Sequence, residues 1–398
     1  CFTLSDPLKI TCARDTSEIT ATIVSDASYS WSGPGILSGQ NSPSVTVNQT
    51  GTYSLTVTRD NNGCSQTKSK TVQADSTRPN AVNLTKSGDI NCDNPQISLE
   101  ATTITSNVSY DFYVVTSGNI ASESGSTALA DQGGQYAVTV TKDATGCTAE
   151  DTISVSENTS KPSVTIDAFS TEITCNQPYD TLTVSSSLTD RTVQWSATNG
   201  GNIVSGALSP EVVVNSNGDY TAVVTDTITG CSGSETVTIT NNLNPPVISG
   251  ITRNPDSLTC SDNVTLKANV SGYTSLSWSG PGNITPNDED SVVVDAAGTY
   301  ILTATAANGC DTTETKYVPA DTAAPNMILT TNYEDITCVN THDTLEVSSG
   351  TPNVTYQWSK VSGNGTITNT NSQNPVVDGQ GAYEVVITGD NGCTTSGQ

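Results

Sequence analysis

The 398 residues carry 40 acidic against 14 basic side chains, a formal net charge of −26. Phosphate contacts need clustered Lys and Arg, so this balance excludes a nucleic-acid binder, and its plain consequence is solubility and self-repulsion along the chain. Only 34% of residues are hydrophobic and 5% aromatic, with one Met and one His beside eleven cysteines, which points to small cross-linked domains in an oxidising, extracellular compartment.

The chain repeats itself. Asn62-Gly63-Cys64, Thr145-Gly146-Cys147, Thr229-Gly230-Cys231, Asn308-Gly309-Cys310 and Asn391-Gly392-Cys393 recur at spacings of 83, 84, 79 and 83 residues. A period of that length signals an array of domains. In chain order, each unit opens on a short apolar piece ending in cysteine: Lys9-Ile10-Thr11-Cys12, Asp89-Ile90-Asn91-Cys92, Glu172-Ile173-Thr174-Cys175, Ser257-Leu258-Thr259-Cys260 and Asp335-Ile336-Thr337-Cys338. An alternating strand follows, then an aromatic strand holding Trp31, Phe112, Trp195, Trp278 or Trp358. A Gly-rich stretch leads to a valine strand such as Val292-Val293-Val294, and a Gly-x-Tyr strand (Tyr53, Tyr136, Tyr220, Tyr300, Tyr383) runs into the Gly-Cys turn. Period-2 alternation with this Thr, Val and Tyr content predicts half-buried β-strands. No stretch shows a helical stripe.

Roughly seven short strands per unit predict an all-β fold, a linear array of five immunoglobulin-like β-sandwich domains with one disulfide each. The units are 1–76, 77–159, 160–243, 244–322 and 323–398, separated by short proline-stiffened linkers such as Asn241-Asn242-Leu243-Asn244-Pro245-Pro246. The residues after Cys393 are fewer than those of earlier last strands. The fifth unit is therefore expected to be truncated, its last strand missing, either because the chain is a segment of a longer protein or because a neighbouring chain supplies the strand by β-augmentation. At about 35 to 40 Å per unit the array would be a rod on the order of 180 Å.

These motifs resemble the immunoglobulin-like superfamily. The aromatic on the third strand is similar to its core Trp, and Gly-x-Tyr to its tyrosine corner, whose hydroxyl bonds back to upstream backbone. The position of the second cysteine departs from that pattern and is closer to the first-strand to last-strand pair of hyalin-type repeats. That resemblance implies Cys12 with Cys64, Cys92 with Cys147, Cys175 with Cys231, Cys260 with Cys310 and Cys338 with Cys393, leaving Cys1 over. Pairing across linkers, such as Cys64 with Cys92, is the rival and requires Cα atoms within about 7 Å. Cys1 could pair with a preceding unit, carry a lipid, or mark a cut in a longer chain. The set "x-Ile-Thr-Cys", "Trp-Ser-Gly-Pro-Gly", "Gly-Thr-Tyr", "Asn-Gly-Cys" and "Asp-Thr-x-x-Pro" further resembles the tandem repeats of Bacteroidota surface adhesins of the SprB gliding type, exported by type IX secretion. The resemblance implies a filamentous, cell-surface glycoprotein in which this chain is a stalk segment serving attachment or gliding motility.

Other chemistry has little to stand on. His342 lies between Thr341 and Asp343 without counterparts in other units, and no hydrolase, P-loop or zincin motif occurs. No enzyme activity and no cofactor are expected. Structural calcium has candidate residues at Asp288-Glu289-Asp290, Asp60-Asn61-Asn62-Gly63 or Asp390-Asn391-Gly392, although Asn-Gly turns need no metal. Zinc lacks clustered ligands. Trp31, Trp195, Trp278 and Trp358 share one repeat phase and read as core. Binding loops are better sought where units differ, at Phe112-Tyr113-Val114-Val115 and Gly363-Asn364-Gly365. The triplet Asp-Ser/Thr-apolar is similar to the O-glycosylation signal of that phylum, which makes Ser76, Thr152, Thr181, Thr227, Ser257, Ser291, Thr312, Thr322 and Thr344 candidates. Expected partners are neighbouring repeats of the same longer chain and surface polysaccharide or other surface proteins, with no nucleic acid and no membrane insertion. The readings held against the stalk are a carbohydrate- or protein-binding module and a spacer of a secreted enzyme.

Overall fold

The computed structural model describes residues 1–330 and 333–398. Every regular element in them is a β-strand, and the buried apolar residues fall into five separate clusters, one per repeat. The third repeat shows the plan. One sheet orders Thr165–Ala168, Asp180–Ser185, Glu211–Val214 and Ile203–Ser205, and the other Glu172–Thr174, Ser232–Asn242, Gly218–Asp226 and Arg191–Thr198. Alternate residues of each sheet face inward, so Leu182, Val184, Val212, Val214, Tyr220, Ala222 and Val224 are almost wholly buried between them. Two half-polar sheets packed face to face are the arrangement that alternation demands.

The shared phase of the aromatics has a structural reason inside each sandwich. Trp31, Trp195, Trp278 and Trp358 are buried, and each indole Nε1 donates to a loop carbonyl, of Ser42, Ser209, Glu289 and Ser372 respectively, at 2.9 to 3.2 Å. An apolar ring with one satisfied donor fits a core. The Gly-x-Tyr motif forms the corner the resemblance implied. In all five repeats the hydroxyl donates to the carbonyl four residues upstream, of Gln49, Gln132, Ser216, Ala296 and Gly379. Trp-Ser-Gly-Pro-Gly serves the same corner. Pro34 and Pro281 offer a second carbonyl to Tyr53 and Tyr300, and a Cβ on Gly33 or Gly280 would stand 2.3 or 2.4 Å from the tyrosine ring. Burial pushes the Tyr53, Tyr300 and Tyr383 hydroxyls above their ordinary pKa. Tyr300→Phe strands the Pro281 and Ala296 carbonyls, so a loss of about 1–3 kcal/mol is expected. Thermal unfolding should show the repeat-4 transition several degrees lower, and an unchanged transition would refute the role given to the hydroxyl.

The strand direction at one edge sets where the cysteines lie. Glu172–Thr174 pairs parallel with Thr240–Asn242, Ile90–Asn91 parallel with Glu157–Asn158, and single parallel bridges join Ile10 to Ala74 and Leu258 to Ala320. The cysteine after the first segment therefore sits beside the end of the last strand, whereas the Gly-Cys turn sits at its beginning.

In the fifth repeat the expectation of a missing last strand is corrected in part: Thr394–Gly397 forms a short strand paired with Val385–Thr388. A cavity of about 350 Å³ opens beside it, lined among others by Ile336, Leu345, Trp358, Val377 and Tyr383. In the other repeats the last strand runs on to the buried Val72, Val155, Ile239 and Val318, paired with Gly51, Gly134, Gly218 and Gly298.

The inter-repeat junction as candidate functional site

The disulfides do not lie within repeats. Cys12 bonds Cys147, Cys92 bonds Cys231, Cys175 bonds Cys310 and Cys260 bonds Cys393, with Cα separations of 4.9 to 5.0 Å. Cys1, Cys64 and Cys338 are free. Both sequence expectations are thereby corrected, the one disulfide per domain with Cys12–Cys64, Cys92–Cys147, Cys175–Cys231, Cys260–Cys310 and Cys338–Cys393, and the linker-flanking rival Cys64–Cys92. The parallel edge gives the reason. In repeat 3, Cys175 follows Thr174, the partner of Asn242, while Cys231 precedes Ser232. The strand between them has 11 residues, so the two thiols stand roughly 35 Å apart at opposite poles of one sandwich. A cystine tolerates Cα atoms only up to about 7 Å apart. Across the linker the poles meet, and the loop of one repeat faces the turn of the next.

Each half of the joint is built from local sequence. In the Ile-Thr-Cys loop the apolar residue packs on its own core, with Ile90 and Ile173 buried and Ile10 and Ile336 partly so. The next residue closes a tight turn that presents the cysteine. Thr11, Asn91, Thr174, Thr259 and Thr337 donate their N–H to the carbonyl three residues on (Arg14, Asn94, Gln177, Asp262, Asn340), and their side-chain oxygens accept the returning N–H. Ser, Thr and Asn do this in turns because the short side chain reaches its own downstream backbone. In the Gly-Cys turn the side-chain oxygen of Asn62, Thr145, Thr229, Asn308 or Asn391 accepts from the cysteine N–H, at 3.0 to 3.4 Å. The glycine holds φ between +67° and +78° in all five repeats, the left-handed region that glycine alone enters freely.

The halves then interlock at all four joints, with the donor shifted by one residue at the last. Ala13, Asp93 and Asn176 donate their N–H to the turn carbonyls of Thr145, Thr229 and Asn308, and at the fourth joint Cys260 donates to Asn391, at 3.0 to 3.2 Å. Cys147, Cys231, Cys310 and Cys393 are buried. The linker is gripped as well. Asn308 Nδ2 donates to the Asn242 and Asn244 carbonyls, Asn391 Nδ2 to the Ala323 carbonyl, Lys142 Nζ to Thr77 Oγ1, and Thr312 and Thr395 hydroxyls to the Pro246 and Pro325 carbonyls. Each pair of neighbours is thus held by the peptide backbone, a cystine and a set of hydrogen bonds. At the half-buried Asp75, hydrogen bonds from Thr77 hold the carboxyl below its usual pKa, and at Asp226 those from Ile228 and Thr229 do so.

The remaining sequence candidates lie elsewhere. Ser76, Thr152, Thr227, Thr322 and Thr344 are exposed, whereas Thr181, Ser257, Ser291 and Thr312 are half-buried, Thr312 with its hydroxyl spent on the linker. His342 is exposed and its Nδ1 lies 2.8 Å from Thr341 Oγ1. Among the described residues no three His, Cys, Asp or Glu side chains converge as a metal site. The calcium candidates are engaged otherwise: Asn62 and Asn391 cap their turns, and the Glu289 and Asp290 carbonyls accept from Trp278 Nε1 and the Ala268 N–H. Tyr113, Val114 and Val115 are partly exposed on an edge of repeat 2. The one buried carboxyl among the described residues, Asp180, accepts from Ser170 and Thr181 N–H, and burial raises its pKa. No helix of the described residues is long and apolar enough to cross a membrane.

Residues 4–74 match the PKD-like domain family. No curated protein matches the chain. Among solved structures, the N-terminal eight Ig domains of Down Syndrome Cell Adhesion Molecule are similar over 99% of the chain at 11% identity, with a TM-score of 0.25; the chain spans 57% of those eight domains. Domains 4–9 of the surface layer protein SbsC are similar over 100% of the chain and 81% of their own at 11% identity, TM-score 0.22. Extracellular domains 3–5 of Drosophila OTK align over 60% of the chain and 95% of their own at 8% identity, TM-score 0.24.

Proposed function

We propose that the chain is a load-bearing shaft segment of an extracellular, cell-surface adhesin, of the kind serving attachment or gliding, with no catalytic activity of its own. The observation that carries this reading is the cystine across every junction. A shaft that must keep its reach gains from fixing each domain to the next, which supports this reading. The bridges demand an oxidising compartment for their formation, which supports placement outside the cell. The acidic surface disfavours lateral clumping. Surface polysaccharide or other surface proteins remain the proposed contacts of the whole adhesin, and glycans on the exposed Ser76, Thr152, Thr227, Thr322 and Thr344 would belong to the same setting.

The test is deletion of one period. Removing residues 160–243 takes out Cys175 and Cys231 together, and leaves the Cys92 loop facing the Cys310 turn. The expected product has Cys92–Cys310 bonded and is shorter by about one repeat, some 35 to 40 Å, in electron micrographs. A deletion that abolished ligand capture by the parent adhesin while leaving its reach intact would favour the second reading, a binding module, and sink this one.

A further inference from the structure

Repeat 3 carries an open hollow of about 630 Å³ on the outer face of the sheet that holds Thr165–Ala168, Asp180–Ser185 and Glu211–Val214. Two aromatic side chains line it in open solvent, Phe169 at 82% and Tyr179 at 53% exposure. We propose that this face binds an uncharged polysaccharide, whose pyranose rings stack on Phe169 and Tyr179 while their hydroxyls hydrogen-bond to Asp167, Glu211 and Gln177. The inference rests on the shaft reading and gives the shaft a lateral contact.

The strand register lays the face out. Asp167 pairs with Thr183 and Thr183 with Glu211, so one outward row reads acid, hydroxyl, acid, its end Cα atoms about 10 Å apart. The next outward row, about 7 Å along, begins with Phe169, whose N–H donates to the Thr181 carbonyl at 3.2 Å. Tyr179 stands two residues ahead of Thr181 and continues the outward side of the central strand. The backbone beneath these side chains is fixed. The buried Asp180 carboxyl accepts the Ser170 and Thr181 N–H groups at 3.1 and 2.8 Å, tying the residue after Phe169 to the central strand. Gln177 closes its turn with Thr174 beside the Cys175–Cys310 bridge, and Pro178 restricts the chain between Gln177 and Tyr179. A site prepared in this way loses less entropy on binding.

The chemistry selects the occupant. An exposed aromatic ring offers an apolar face to sugar C–H groups, and a carboxylate accepts from neighbouring hydroxyls. Neither Asp167 nor Glu211 is in an ion pair among the described residues, so both are open to hydroxyl donors and both repel an anionic polymer. A protein partner would need an apolar centre depleted of charge. This face instead sets two rings among Thr, Gln and acidic side chains. Single exposed apolar residues are ordinary on a surface, but this pair is confined to one repeat. In register with Phe169 stand Ser87 in repeat 2 and Asn254 in repeat 4. The position of Tyr179, three residues ahead of the buried Leu182, holds Thr16, Gln96, Asn263 or His342 in the other repeats.

The experiment is native electrophoresis of the full chain through gels containing mixed-linkage β-glucan, laminarin or alginate. The two glucans are uncharged, and the equatorial hydroxyls of β-linked glucose leave C–H groups on both ring faces. At least one glucan is expected to retard the protein, and alginate is not. Phe169→Ala combined with Tyr179→Ala should weaken glucan binding about tenfold, and Asp167→Ala about tenfold. Phe169→Tyr should retain binding, and Tyr317→Ala, which removes an exposed ring of repeat 4, should leave it unchanged. Passage through both glucans without retardation would overturn the proposal, as would equal retardation of the aromatic or the Asp167 variant. Retardation by alginate, or binding of polylysine in place of glucan, would assign the face to another ligand and overturn it too. Cystine mapping of the same samples separates the two readings. The Cys92–Cys231 and Cys175–Cys310 peptides without glucan binding defeat this inference alone, whereas within-repeat pairs defeat the shaft reading whatever the gels show.

Discussion

With a protease-recognition sequence inserted after Ser160, cleavage of the unreduced protein is expected to leave one covalent species of full mass, and reduction to release two. The cut falls in the linker between repeats 2 and 3, which the Cys92–Cys231 bridge spans. The result is all or none, because pairing within repeats would let the halves separate without reductant. The same protection extends along the chain. The closed segments 12–147, 92–231, 175–310 and 260–393 each begin before the previous one ends. Every peptide bond from Cys12 to Cys393 therefore lies inside at least one covalent loop. Each loop closes across a sequence separation of 133 to 139 residues, for which restriction of the unfolded chain contributes about 5 kcal/mol per bridge. In the native state the cystine adds a second covalent attachment between neighbours, which limits hinging at the proline linker. Gel mobility with and without reductant reads the prediction directly, and two bands in the unreduced lane would refute the cross-junction pairing.

Gly146→Ala is expected to impede formation of the Cys12–Cys147 bridge, while Gly63→Ala leaves the four native bridges untouched. Both glycines hold φ +67°, so both variants carry the left-handed strain of about 1–2 kcal/mol. Only at Gly146 does the added methyl meet another repeat, 2.3 Å from the Ala13 Cβ and 3.2 Å from its backbone. Backbone there cannot swing aside as a long side chain would, so the loop and the turn must separate. That breaks the Ala13 N–H to Thr145 carbonyl bond of 3.0 Å and moves the sulfurs out of bonding range. Reoxidation of the reduced protein, followed by thiol trapping and mass mapping, should show Cys12 and Cys147 trapped as thiols in Gly146→Ala and bonded in Gly63→Ala. Equal recovery in both variants would show that the glycine is required for φ alone.

Much of a single repeat is legible in its residues. The alternation in Thr181-Leu182-Thr183-Val184 becomes inward Leu182 and Val184, the shared phase of Trp31, Trp195, Trp278 and Trp358 becomes four core rings, and Gly-x-Tyr becomes five hydroxyls bonded four residues upstream. Such features depend on neighbours within one strand or one turn. The cysteine partners are not legible in this way, because the hyalin-like pairing assumes that side-by-side edge strands bring their cysteines together. One signal warns against it: each Gly-Cys turn begins the last strand, and each Ile-Thr-Cys segment would need an antiparallel approach to reach it.

The chain by itself determined the five-fold period, the two-faced strands and the conformation of both halves of every junction, since these arise from side-chain alternation and from short-range hydrogen bonding by Thr, Asn and Gly. Tertiary structure alone decided which thiols meet. Side chains alternate with period 2 in parallel and antiparallel strands alike, so the pattern carries no direction. The parallel course of Glu172–Thr174 beside Thr240–Asn242 sends the two cysteines of a repeat to opposite poles, and a bond that spans a few ångströms can then form only with the next repeat.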